Sequence, residues 1–81
     1  MTEKAQRIII GRNVRQERKE RGWSQVDLAE RTGLSESTIN NIERGITNPS
    51  MKAIVALANT FNIDTWVLFA DSAQQEAVGL K

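Results

Sequence analysis

Residues 24–45, SQVDLAERTGLSESTINNIERG, carry an apolar pattern at helical spacing that is broken once and then resumes. Ser24 is a capping residue for a first helix, and Asp27, three positions on, holds the acidic place of a capping box. Val26, Leu28 and Ala29 start an apolar stripe, and Thr32-Gly33-Leu34 interrupts it. Gly33 is expected in the left-handed conformation that ends a helix. Ser35 then caps a second helix. Two caps so close together, with a glycine between them, predict two short helices joined by a tight turn. Helices this short are not stable alone, so the flanking segments must pack against them.

The same pattern orders the rest of the chain. Helix 1 is expected over residues 8–21, with Ile10, Val14 and then Arg18 on its inward stripe. Gly22 ends it, and Trp23 plugs the corner before helix 2, residues 25–31. Helix 3, residues 36–44, turns Ile39 and Ile42 inward, and Glu43 lies four positions after Ile39. Arg18 and Glu43 therefore fall on the buried sides of two helices that must pack together. That predicts a buried or half-buried ion pair; the other outcome is that both side chains snorkel to water. Gly45 ends helix 3, Pro49 stiffens the loop, and Ser50 caps helix 4, residues 51–61. Its apolar set is Met51, Ile54, Val55, Leu57, Ala58 and Phe61. Asp64 is expected to cap a short helix 5, residues 65–70, which holds Trp66, Val67, Leu68 and Phe69 in succession. One core buries one side of such a helix, and Leu68 is the residue assigned to it. Trp66 and Phe69 share another face, left for a subunit interface or for cover by the C-terminal tail.

Composition narrows the class. Eighty-one residues make one domain with a small core. The expected division is a flexible segment at 1–7, the domain at 8–70, and a flexible tail at 71–81. With no Cys and no His, disulfides and the usual zinc sites are excluded. No apolar run is long enough to span a bilayer, and the first ten residues lack the core of a signal peptide, so a cytoplasmic location is expected. Neither a cofactor nor enzymatic activity is expected. No carboxylate pair is placed for acid–base work, and Ser24, Ser35 and Ser50 all have capping roles with no base nearby.

The net charge of +1 hides an uneven distribution: residues 1–25 hold seven Lys/Arg against three Asp/Glu. That suits a phosphate-facing surface and suits a solvated helix face almost as well. Helix 3 adds to the picture. With Ile39 and Ile42 turned in, Ser37, Asn40, Asn41 and Arg44 project outward, with Glu36 in the first turn and Thr38 on a flank. Amides and hydroxyls without aliphatics can read donor and acceptor patterns on base edges, or can simply face water.

Arg18, Gly22, Ser24-Gln25, Leu28-Ala29, Gly33-Leu34-Ser35, Ile39, Ile42-Glu43-Arg44-Gly45, Asn48-Pro49-Ser50, Leu57-Ala58 and Ile63 together resemble the Cro and lambda-repressor-like (Xre-type) helix-turn-helix family of transcription regulators. The resemblance runs from about Ile10 to Phe69. It implies a compact, all-α, five-helix domain that reads the major groove with its third helix, usually as a homodimer. It further implies base reading by Glu36, Ser37 and Asn41, with Thr38 and Asn40 secondary, and DNA-backbone contacts from Ser24, Gln25, Ser35, Arg44 and Asn48. Arg18 and Glu43 match a salt-bridge position of the family. Relatives often carry Gln or Arg where this chain has Glu36, which leaves Glu36 as a base reader or as a helix-end charge. Relatives also tend to be polar where Trp66 stands, which favours Trp66, Val67 and Phe69 as a dimer interface.

The function implied is a sequence-specific regulator of transcription, a repressor or operon controller, that binds a palindrome-like site in double-stranded DNA as a homodimer. Small phage repressors, Cro-like proteins, controllers of restriction–modification operons and antitoxins all fit that description. The alternative is a protein-interaction module of the same fold, which binds a toxin or an RNA polymerase subunit through helix 5 and the tail.

Overall fold

The computed structural model describes residues 2–71. Among these, five helices follow one another with no strand: α1 (Glu3–Glu20), α2 (Gln25–Thr32), α3 (Glu36–Glu43), α4 (Met51–Phe61) and α5 (Thr65–Phe69). The predicted flexibility of residues 72–81 lies outside the described residues.

Local chemistry sets most of the boundaries. The Ser24 hydroxyl accepts from Asp27 N at 3.0 Å, and Asp27 Oδ2 accepts from Ser24 N at 2.9 Å, so the capping box is complete. Gly33 ends α2 with φ +78°, and Ser35 and Ser50 cap α3 and α4 through Thr38 N and Ala53 N. Asn62 ends α4 at φ 58°, a conformation that Asn tolerates better than most side chains. Asp64 occupies the N-cap position of α5, yet its side chain makes no capping hydrogen bond.

Helix α1 begins five residues before the expected Ile8. The Thr2 hydroxyl accepts from Ala5 N at 3.0 Å, and tertiary bonds hold the added turn. The Gln6 side chain donates to Phe69 O, and Asn48 Nδ2 donates to Glu3 Oε1.

Ile10, Val14, Leu28, Ile39, Ile42, Ile54, Leu57, Ala58, Phe61 and Leu68 form one core. Helix α1 runs through its centre and packs chiefly on α3 and α5. Gly11 allows the close crossing with α3: a Cβ there would overlap the Ile42 carbonyl oxygen and lie 2.9 Å from that of Glu43. Trp23 is half-buried and stacks on Phe61 with ring centroids 6.1 Å apart, which is the corner plug predicted for it. The Arg31 guanidinium covers the Trp23 ring at 4.2 Å.

Three apolar residues assigned to core stripes are exposed instead. Val26 on α2 and the pair Met51 and Val55 on α4 face outward. The helices packed on α2 and α4 cover only part of their wide apolar arcs among the described residues. Leu68 is fully buried, whereas Trp66 is 60% exposed and Phe69 lies at the surface beside it.

Two polar contacts that anchor helix ends have no signature in the sequence. Asn13, buried on α1, donates from Nδ2 to Leu68 O at 2.8 Å and Ala70 O at 2.7 Å, at the end of α5. Arg21 Nη2 donates to Phe61 O at 2.6 Å, at the end of α4.

Candidate nucleic-acid interface

The candidate surface is built on α2, the Gly33 turn and α3. Their relative placement depends on the Arg18–Glu43 contact. Arg18 Nε meets Glu43 Oε2 at 2.7 Å and Nη2 meets Oε1 at 2.9 Å, a bidentate pair whose side chains are only 11% and 4% exposed. Arg18 Nη1 also donates to Trp23 O at 2.8 Å, so one guanidinium ties α1, the α1–α2 corner and α3 together. The hydrogen bond to Glu43 holds the Arg18 pKa above its usual value, against the opposing effect of burial. The predicted ion pair therefore exists, half-buried, with both side chains largely withdrawn from water.

The ten residues expected to touch nucleic acid divide into two groups. In the first, side chains are already engaged within the chain. Ser24 is occupied by its capping box. Ser35 Oγ accepts from Thr38 N and donates to Thr38 Oγ1 at 2.8 Å. Asn48 is bonded to Glu3 rather than left open. Gln25 Nε2 donates to Glu43 Oε1 at 3.3 Å, and Asn40 Nδ2 donates to Gln25 Oε1 at 3.2 Å. Asn40, expected to project freely, is thus half-buried and turned toward α2.

In the second group are Glu36, Ser37, Asn41 and Arg44, whose side chains make no hydrogen bond or ion pair among the described residues. Glu36, Ser37 and Arg44 are exposed and Asn41 is half-buried. At 100° per residue, Ser37, Asn41 and Arg44 fall within about 60° of one another, so they line one outer edge of α3. A hydroxyl, an amide and a guanidinium in a row supply donors and acceptors with no partner among the described residues. Glu36 sits beside them in the first turn, where its charge complements the positive end of the helix.

Among the described residues, no three His, Cys, Asp or Glu side chains are grouped to hold a metal ion. No helix among them is long and apolar enough to cross a membrane.

Comparison with known proteins agrees with this geometry. The pattern of the Helix-turn-helix family matches residues 14–65. The HTH-type transcriptional regulator SinR of Bacillus subtilis is 32% identical over 72 residues, which cover 88% of this chain and 65% of that protein. The chain thus spans just under two thirds of the length of that relative. The solved structure of SinR in complex with DNA superimposes with a TM-score of 0.72 at 34% identity, covering 75% of this chain and 98% of that one. The restriction–modification controller protein C.AhdI from Aeromonas hydrophila gives a TM-score of 0.76 at 35% identity, covering 80% of this chain and 98% of that one. The buried Arg18–Glu43 pair, the two capped helices around Gly33 and these likenesses agree: the chain belongs to the helix-turn-helix family, in its Xre or lambda-repressor-like branch.

Proposed function

We propose that this chain binds double-stranded DNA as a homodimer, with α3 in the major groove, and regulates transcription from a palindrome-like operator. The observation that carries the reading is the outer edge of α3, where Ser37, Asn41 and Arg44 lie in line with no side-chain partner among the described residues. Asn41 and Ser37 supply base-edge contacts, each good bidentate pair being worth about 1–3 kcal/mol against a wrong base. Arg44, at the C-cap of α3, reaches the phosphates together with the exposed N-terminal turn of α2, and these contacts set the register. The exposed face of Trp66 and Phe69 joins two copies, with Val67 at its margin. A two-fold dimer then spaces its two reading helices about 34–36 Å apart, one turn of DNA. Such a protein acts in the cytoplasm as a repressor or an operon controller, and it needs no cofactor.

A second reading is favoured by the same exposed aromatics. In it, α5 docks a different protein, such as a toxin or an RNA polymerase subunit, and DNA binding is secondary.

Selection of bound duplexes from a randomised pool, at about 150 mM salt where backbone contacts alone hold weakly, separates the two. The expected result is a two-fold symmetric sequence with half-sites one turn apart. Absence of any enriched sequence overturns the DNA-reading proposal and transfers the function to α5.

A further inference from the structure

The side chains between α1, α2 and α3 form one continuous run of hydrogen bonds, and its chemistry has a direction. Arg18 is a donor only and stays protonated, and it occupies both oxygens of Glu43. An ionised carboxylate accepts and cannot donate. The end of the Gln25 amide that meets Glu43 must therefore be its NH2, and Nε2 does lie there, 3.3 Å from Glu43 Oε1. Gln25 Oε1 is left facing α3, where it accepts from Asn40 Nδ2 at 3.2 Å. An unconstrained Asn can turn its amide by 180° and offer either end to a base. Asn40 cannot, because the turn would set its oxygen against the oxygen of Gln25, and turning Gln25 as well would set that oxygen against Glu43.

We infer that the buried Arg18–Glu43 ion pair, acting through Gln25, fixes Asn40 as a hydrogen-bond acceptor toward the major groove, so that this position of α3 selects its base pair through an exocyclic amine, adenine N6 or cytosine N4. Gln25 is a positioning residue in this arrangement: by taking one hydrogen of Asn40 Nδ2 it leaves Oδ1 as the unengaged end of that amide, while contributing no base contact itself. The consequence is specific to hydrogen-bond direction. A residue that merely supported α3 would alter affinity at every base pair alike.

The inference rests on the DNA-reading role proposed above, and its test separates the two. From the selected duplex, the base pair that loses its preference in Asn40→Ala identifies the position that Asn40 reads. At that position, adenine is replaced by purine, or cytosine by 2-pyrimidinone, each of which lacks the exocyclic amine, and binding is measured by competition. The expected loss is roughly 3- to 10-fold for the unaltered chain, the scale of one hydrogen bond. It disappears in Asn40→Ala. In Gln25→Met, which keeps the side-chain length but frees the Asn40 amide to turn, the loss shrinks below about twofold while preferences at the other positions persist. Thermal melting of both variants checks that the fold is intact. An amine-independent site in the unaltered chain, no position whose preference depends on Asn40, or full amine dependence in Gln25→Met overturns the inference alone. Absence of any selected sequence overturns the DNA-reading role and the inference with it.

Discussion

Arg18 and Glu43 show how one pair of side chains can be legible in a sequence and still carry a cost. Each lies on the apolar stripe of its own helix, which is an improbable place for a charge without a partner, and the bidentate contact is the outcome. Desolvation of both charges offsets much of the attraction, so the pair as a whole adds little net stability. Removing one member is a different matter. Arg18→Met leaves the Glu43 carboxylate, 4% exposed, with only the Gln25 amide for company. A loss of about 3–5 kcal/mol is expected in chemical denaturation. The double variant Arg18→Met/Glu43→Leu is expected to recover most of that loss, because the stranded charge is gone. Equal instability of the single and double variants would show that the pair contributes through packing rather than charge. The Gln25–Asn40 bond, by contrast, was not foreseeable at this scale. The two residues are 15 positions apart, and nothing in the identity of either one says which amide it meets.

At the scale of the element, the sequence was most informative where a helix end is made by its own neighbours. Ser24 with Asp27, Gly33, Ser35 and Ser50 act over three or four residues, and each sits where local chemistry places it. Helix faces were less legible. An apolar pattern says which side chains can be buried and is silent on how much of the arc a neighbour will cover. Hence Val26, Met51 and Val55 are exposed despite standing on good stripes. Ends held from a distance were not legible at all, and α5 is the clearest case. Five residues cannot sustain a helix, and Asp64 gives α5 no side-chain cap. Its stability comes from Leu68 in the core and from Asn13, which satisfies the carbonyls of Leu68 and Ala70. Asn13→Ala should cost about 1–3 kcal/mol. It should also raise amide hydrogen exchange selectively in α5, while α2 and α3 keep their protection. A uniform rise would mean that Asn13 supports the whole core. The α2 cap supplies a pH test. Asp27 is held below its ordinary carboxylate pKa by the backbone N–H of Ser24, then by the Ser24 hydroxyl. The unfolded chain therefore binds this proton more readily than the folded one. The contribution is fully present above the unfolded-state value of about 4, and it is lost as pH falls through the lower folded value. In Asp27→Asn, stability near neutral pH should drop slightly, and the decline on acidification should be shallower than in the unaltered chain. Identical acid profiles would remove the capping box from the stability of α2.

For the molecule as a whole, the open question is what covers α5. Asn13 and Leu68 fix this helix on α1, so Trp66 and Phe69 are presented on a rigid base and little further ordering is needed for a partner to dock. A second copy of the chain offers the same face, and a two-fold axis through it brings Trp66 of one copy near the aromatics of the other. Trp66→Asp tests this directly. The residue is 60% exposed, so the monomer core is untouched, and its own stability should change by no more than about 0.5 kcal/mol. A dimer loses the anchor twice, once per copy, at about 2–4 kcal/mol each for a central aromatic. Sedimentation equilibrium is expected to show monomers of the variant at micromolar concentration and dimers of the unaltered chain. Operator affinity should fall with it, because each half-site must then be filled by a separate association. Binding to non-specific duplex, which depends on phosphate contacts from one subunit at a time, should be nearly unchanged. A dimer that survives Trp66→Asp would move the two-fold axis off α5. The next surface to alter would then be the outward pair on α4, Met51 and Val55, which are one helical turn apart and likewise exposed among the described residues.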